Sequence, residues 1–377
     1  MTGRRPVVVL LGGPSAEHDV SIVSGSAVAA ALGRAGHPVE RVVIDLDGRW
    51  WQLAGAASEP RPGMADLAPA DFDDPATLGA DSPRSSGAVL EALAARDPRP
   101  VVFIALHGPF GEDGTVQALL EAADLPYTGS GVAASALGMD KALFKRLVRG
   151  LGLPVVDWRE VTARRWAAEP DAVLAELEAF AAGTGDPRLI VKPARLGSSV
   201  GMTLAHGPAE RAGALGAAFE HDNLALVERY VPGARELEVA VVGNDPARLE
   251  LYGPGEILPG HEFYDYAAKY TPGLSETSPT AEIDAGLRAT LLKIARDAYR
   301  AIGAEGFARL DFLVEGGTPY LSEINTIPGF TPISLFPAMA AAGGYDFAGL
   351  AGRIVELGHE RWAARVRRRL TPGELPR

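Results

Sequence analysis

"GFARLDFLVEGGTPYLSEINT", residues 306–326, alternates apolar and polar residues on either side of a Gly-Gly pair. That pattern reads as two half-buried strands joined by a tight turn. With Gly316, Gly317 and Thr318 as the loop, Asp311 faces Glu323 and Arg309 faces Asn325, while Leu310, Phe312, Val314, Tyr320 and Ile324 share the core-facing side. Carboxylates opposed across an antiparallel pair have Cβ atoms about 5 Å apart and repel unless a cation lies between them. A hard divalent cation meets that need, because magnesium takes one or two carboxylates and completes its shell with water and substrate phosphates. A solvated polar face would explain the polarity but not why both acids fall opposite each other. The inference depends on register: a change of one residue in the loop would carry Glu323 off this face.

Upstream, "PVVVLLGG" reads as a buried strand, followed by a helix over about 15–35 that stops at Gly36 and by the strand "VERVVIDLD", a βαβ opening. Residues 48–86 are rich in Ala, Pro, Gly and Asp and read as an irregular insertion. A helix at 87–96, the strand "VVFIAL" and the helix "TVQALLEAAD" complete a first α/β lobe, 1–129. Over 130–228 come the helix "DKALFKRLVRG", the strands "LPVVDW" and "RLIVKPA", a helix near 208–221 and the strand "LALVERYV". Over 229–365 come further strands, the tyrosine-rich "HEFYDYAAKY" (261–270), a long helix at 281–303, the hairpin and a closing helix, leaving 366–377 as a tail.

A chain of 377 residues is long for one core and predicts two or three lobes. A net charge of −12 argues against a nucleic-acid or anionic-membrane surface and leaves small molecules as the expected partners. The absence of cysteine excludes disulfides, thiolate metal sites and cysteine nucleophiles. Glu17 and Asp19 cut short the apolar run at the start, and no segment reaches membrane-spanning length, so a cytoplasmic location is the expectation. Only five of 36 Lys+Arg are lysines, at 141, 145, 192, 269 and 293, which marks each as a candidate for a site too narrow for a guanidinium.

"VKPARLGSSVGM" (191–202) runs from a strand into a Gly/Ser loop, where backbone N–H groups and hydroxyls suit phosphate oxygens and Lys192 supplies charge. No GxxxxGK[ST] pattern occurs, so this is not a P-loop NTPase. Glu17 falls in the first turn of the first helix, where the dipole alone would welcome an acid. His107, in "ALHGPFGEDG", follows a strand end, where α/β folds place ligands.

Together, "LLGGPSAEHDVS", "ALHGPFGEDGTVQ", "LPYTGSGVAASALGMDK", "VKPARLGSSVGM", "EFYDYAAKY", "ARLDFLV" and "LSEINTIPGFTPISLFP" resemble the D-alanine-D-alanine ligases of the ATP-grasp superfamily. The resemblance implies an α/β (α+β ATP-grasp) fold: an N-terminal Rossmann-like lobe followed by central and C-terminal ATP-grasp lobes. It implies that ATP phosphorylates the carboxylate of one D-alanine and that the amine of a second attacks the acyl phosphate, for peptidoglycan precursor synthesis. Carried over by motif, Lys141, Lys192 and Ser199 would bind the ATP phosphates, Glu228 with the backbone through Tyr230 and Val231 the adenine, and Glu236 the ribose. An extra residue in "PGARELEV" leaves Glu238 as the alternative to Glu236. Asp311, Glu323 and Asn325 would carry two magnesium or manganese ions. Glu17 would receive the first D-alanine's ammonium, with Ser198 linking it to Tyr270, and His107 would lie beside that substrate. Arg309 and the Gly329 amide would stabilise the tetrahedral oxyanion. Ser334, the Leu335 amide and Lys269 would bind the second carboxylate, and "HEFYDYAAKY" would be a cover over the substrates. Lys145 and Lys293 read as exposed helix residues. Dimers are common in this family, which leaves a homodimer open.

The departures are Pro14, Leu196 and Ser322, and none removes a catalytic group. The competing readings are a ligase that accepts D-serine, one that accepts D-lactate, and a nucleotide-binding module without catalysis. His261 lies nine residues before Tyr270, too early for the histidine of the D-lactate enzymes, and a site rejects an added hydroxyl only weakly.

Overall fold

The computed structural model describes residues 4–53, 80, 82–259 and 275–366. Its first sheet starts with β1 (Val7–Gly12), α1 (His18–Arg34) and β2 (Val39–Ile44), the two strands pairing in parallel. Every residue of β1 is buried, as expected of a central parallel strand covered on both faces. A short strand, β3 (Trp50–Leu53), pairs antiparallel with β2 and buries Trp50 and Leu53, so the stretch read as irregular over 48–86 starts with regular structure. Four residues are too few for alternation to stand out, which is why the pattern hid it. Next come α2 (Ser86–Ala94), capped by Ser85, then β4 (Val101–Ile104), parallel to β1, and α3 (Thr115–Ala122). The strand order is β3-β2-β1-β4.

The second sheet follows α4 (Val132–Met139) and α5 (Lys141–Gly150), the latter capped by Asp140, whose carboxylate accepts from the Ala142 and Leu143 N–H groups. It contains β5 (Trp158–Thr162), then, after α6 (Ala163–Ala168) and α7 (Pro170–Thr184), β6 (Leu189–Pro193) and β7 (Thr203–Ala205), and, after α8 (Pro208–Phe219), β8 (Leu224–Arg229). The order is β5-β8-β6-β7. The strand expected at "LPVVDW" begins only at its last residue. Pro154 instead accepts a hydrogen bond from the Leu321 N–H, and Val155 joins the core of the third sheet, so this apolar run is a buried connection.

The third sheet has β9 (Arg235–Val242), β10 (Glu250–Pro259), β11 (Ser275–Ser278) and, after α9 (Ala285–Ala301), β12 (Phe307–Glu315) and β13 (Thr318–Asn325), in the order β11-β10-β9-β12-β13. Helices α10 (Leu335–Ala342) and α11 (Phe347–Val366) close the chain. Two packing relations cross sequence neighbourhoods. Ala142, Phe144 and Val148 of α5 share a core with Leu310 and Ile324 of the third sheet, and Leu350, Ile354 and Val355 of α11 share one with Val28 and Val101 of the first.

The β12/β13 hairpin contains two offsets that cancel. Its loop is two residues, Gly316 and Gly317 at φ 56° and 86°, the left-handed pair a tight hairpin turn requires, and Thr318 already pairs with Glu315. Alone, that would misplace Glu323, but a bulge at Ser322 adds a residue back, and Asp311 pairs with Glu323 and Arg309 with Asn325 as expected. Between turn and bulge the parity shifts, so Leu321, not Tyr320, enters the core, and Tyr320 pairs with Leu313 on the opposite face. Among the described residues no helix is long and apolar enough to cross a membrane.

Candidate active site

Residues from all three sheets and the loops above them enclose a cavity of about 1290 Å³. This exceeds what one drug-sized molecule usually fills, leaving room for a nucleotide and small co-substrates. Glu17, Lys141, Lys192, Ser198, Glu228, Arg309, Asp311, Glu323 and Asn325 all line it.

Glu17 occupies the N-cap position of α1, but its side chain caps nothing and turns toward the cavity. It is 5% exposed, Ser198 Oγ donates to its Oε1, and its Oε2 has no hydrogen-bond partner among the described residues. The carboxylate fits because Gly108 and Gly197 flank it: a Cβ would fall 2.4 Å from Oε2 at the first and 2.7 Å at the second. Ser198 and Ser199 stand at φ 49° and 58°, left-handed conformations that cost about 1–2 kcal/mol each for residues with a Cβ and mark sites where the surroundings hold the backbone.

On the third sheet, Asp311 lies opposite Glu238 on one side and Glu323 on the other. At an effective dielectric of 20, two such charges 4 Å apart repel by about 4 kcal/mol, so the row needs cations. Arg309 grips Asp311 through Nε at 2.7 Å and Nη2 at 2.8 Å and meets Glu238 at 3.1 Å. Burial alone would lower the arginine pKa, but Asp311 and Glu238 outweigh it and hold it well above the ordinary value. Lys141 Nζ lies 3.3 Å from Glu323 and donates to the Leu196 carbonyl at 2.8 Å. Burial opposes its charge too, yet Glu323, Glu17 and Glu112 keep its pKa raised. Asn325 Nδ2 reaches Asp311 at 3.0 Å and Glu323 at 3.5 Å, so one atom touches both acids. With the amide turned over, two carboxylates and an amide oxygen would present the all-oxygen donor set that suits a hard divalent ion. Among the described residues no three His, Cys, Asp or Glu side chains are grouped to hold a metal, so substrate oxygens would have to complete the shell. Glu236 and Glu238, two residues apart on β9, both line the cavity, and Glu238 is also paired with Arg309.

At the other end, Glu228 on β8 sits between Lys145 at 2.9 Å and Lys192 at 3.0 Å. Burial would raise its pKa, but the two lysines outweigh that and hold it below the usual carboxylate value. Lys145 is 0% exposed, which corrects the expectation of an exposed helix residue. The missed signal was its spacing: four residues after Lys141, it shares that residue's helix face. Tyr230 packs under the Arg188 guanidinium, and neither it nor Val231 lines the cavity.

His107 is buried, and both its ring nitrogens are used within the protein. Nδ1–H donates to the Ile327 carbonyl at 3.0 Å, and Nε2 accepts from Ser24 at 3.0 Å. Burial lowers its pKa despite the opposing pull of Glu17, so the ring is neutral. Glu112, not singled out in the sequence although it lies in the same Gly-rich loop, accepts from the Gly108 N–H at 3.0 Å and the Ile327 N–H at 3.3 Å. Burial and the charge of Glu17 push its pKa up to about 8. Gly329 lines the cavity, and Ser334, bonded to Thr331, opens α10 with Leu335 as its first helical residue. That places the start of a helix, with its N–H groups, at the wall. Lys269, Tyr270 and His261 lie outside the described residues.

A sequence profile described as "D-ala D-ala ligase N-terminus" matches residues 6–130, and one described as "D-ala D-ala ligase C-terminus" matches 147–356. The chain is 39% identical to the D-alanine--D-alanine ligase of Heliobacterium modesticaldum over 99% of both chains, and 39% identical to that of Deinococcus radiodurans over 95% of this chain and 99% of the other. Among solved structures it is similar to the D-alanine-D-alanine ligase from Coxiella burnetii (TM-score 0.78, 30% identity, 97% of each chain). It is also similar to the VanG D-Ala:D-Ser ligase from Enterococcus faecalis (TM-score 0.77, 30% identity, 94% of this chain and 99% of the other).

Proposed function

Since the chain belongs to the D-alanine-D-alanine ligase family, whose fold is the ATP-grasp, we propose how its cavity uses ATP to join two D-alanines for peptidoglycan synthesis. The observation that carries the residue assignments is Glu17 Oε2, a buried oxygen of a cavity-lining carboxylate that has no partner among the described residues. Leaving such a group unmatched is costly, and a substrate ammonium is the partner that fits it.

With its ammonium on Glu17, the first D-alanine directs its carboxylate toward Arg309. A carboxylate oxygen attacks the γ-phosphorus of ATP, the bond to the β-γ bridging oxygen breaks, and ADP leaves with its electron pair. Lys141, Lys192 and Ser199 bind the phosphates, Glu228 takes the adenine, and Glu236 takes the ribose. Asp311, Glu323 and Asn325 would hold two magnesium or manganese ions, which when bound neutralise phosphate oxygens. The second D-alanine rests its carboxylate on Ser334, the Leu335 N–H and Lys269, and its amine, once deprotonated, attacks the acyl carbon. Arg309 and the Gly329 N–H stabilise the oxyanion, in a dry site where fixed donors act most strongly. Phosphate departs and D-alanyl-D-alanine remains. His107, bonded to Ile327 and Ser24, fixes the wall beside the first substrate, and Ser198 with Tyr270 steadies Glu17.

The test is ADP release with D-alanine alone, then with D-serine or D-lactate added, followed by the product's mass. Dipeptide from D-alanine alone supports the reading. ADP release only when D-serine or D-lactate is added would transfer the enzyme to another acceptor, and none under any condition would refute it.

A further inference from the structure

Lys145 is a fully buried charge that the scheme above leaves unused. Its ammonium lies 2.9 Å from Glu228 Oε1, 3.5 Å from the Val156 carbonyl and 5.5 Å from the centre of the Trp158 ring. It is fully buried and does not reach the cavity, whereas Glu228 and Lys192 both line it. A lysine with no water contact stays in a fold only if its charge is matched, and Glu228 matches it.

The arrangement is asymmetric. Lys192 holds the other Glu228 oxygen at 3.0 Å but sits where triphosphate oxygens would compete for it. Were Lys192 the only counter-ion, its engagement with phosphate would strand a buried carboxylate. Lys145 has nowhere else to go and remains the permanent partner. Glu228 lines the cavity with Lys145 Nζ 2.9 Å from its Oε1, so the carboxylate is held against the wall as an acceptor. An ionised carboxylate only accepts. It therefore welcomes an exocyclic amino group and opposes an oxo group in the same place.

We propose that Lys145 is a positioning residue for nucleotide choice: it keeps Glu228 ionised and aimed so that the pocket selects a 6-amino purine over a 6-oxo purine and leaves Lys192 to the phosphates. This rests on the reading of Glu228 as the purine-facing acid.

The experiment is equilibrium titration of MgATP and MgITP, which carries a 6-oxo purine, into the full chain and into Lys145→Met, with KM for ATP and for D-alanine measured in parallel. The wild type should prefer MgATP at least about tenfold, as expected when a site built for a donor meets an analogue lacking it. Lys145→Met should bind MgATP at least about tenfold more weakly and lose the preference, while KM for D-alanine stays within about twofold. No preference in the wild type, unchanged nucleotide binding in the folded variant, or a parallel loss for nucleotides and D-alanine overturns the proposal. Should Lys145→Met not fold, Lys145→Met/Glu228→Gln removes both charges and strands neither. Loss of the preference in that variant supports the proposal and its persistence overturns it. Because binding is read without turnover, a wild type that selects MgATP but makes no dipeptide would count against the ligase assignment alone.

Discussion

Two charged clusters face one cavity, and they differ in how they are built. The Asp311, Glu323 and Asn325 cluster comes from two neighbouring strands of one hairpin, with Arg309 on the same strand as Asp311. The Glu228 cluster draws its acid from β8 and its lysines from β6 and α5. Acids predominate in the first and lysines in the second. The first suits metal-assisted chemistry on phosphate and acyl oxygens, the second recognition of an anionic nucleotide. Partners on one hairpin are related by a local register, whereas partners on three elements are related only by tertiary packing.

The largest effect should come from breaking the hairpin cluster. Asp311→Asn or Glu323→Gln should lower kcat by about a thousandfold or more, the upper range for removing one preorganised charge. ADP release with D-alanine measures it, and normal turnover in either variant would remove the metal assignment. The bulge itself can be tested by stability. Leu321→Ala should cost about 2–5 kcal/mol in denaturant unfolding, whereas Tyr320→Ala, losing mainly a contact with Arg229 whose guanidinium carbon is 5.2 Å from its ring, should cost less. The reverse order would favour the three-residue loop. Arg309→Lys keeps the charge but not the two-pronged grip on Asp311, and kcat should drop about a hundredfold.

Glu112 is a largely buried acid beside Glu17. Between its ordinary 4.5 and about 8, the folded chain keeps a proton that the unfolded chain has lost, so this group makes stability fall as pH rises through that window. Glu112→Gln should flatten that slope in unfolding midpoints measured from pH 5 to 8, and an unchanged slope would contradict the raised value. The smallest effect belongs to Lys293, paired with Asp297 at 2.7 Å on an exposed helix face. Its substitution by Ala should change stability by about 0.3–0.5 kcal/mol and leave turnover alone.

The contrast between Lys293 and Lys145 shows what the sequence could reveal. Both sit in helices near acids and both were read as exposed, yet only Lys293 is. The i, i+4 relation to Lys141 was available, but Glu228 lies 83 positions away and no local pattern links them. The hairpin face was legible because side-chain alternation is local, although a shorter turn and a compensating bulge hid within it. The βαβ opening was legible from its continuous apolar strands, while four-residue β3 was not. Glu17 was legible as the acid at a helix start, but its buried oxygen, without a partner among the described residues and with Gly108 and Gly197 packed against it, exists only once the chain has folded around it.

The division of labour between the two clusters is tested most directly by steady-state kinetics of Asp311→Asn and Lys145→Met measured side by side with ATP and D-alanine. The first should collapse kcat, while the second should raise KM for ATP and leave kcat and KM for D-alanine near wild type. The same pattern of loss in both variants would contradict that division.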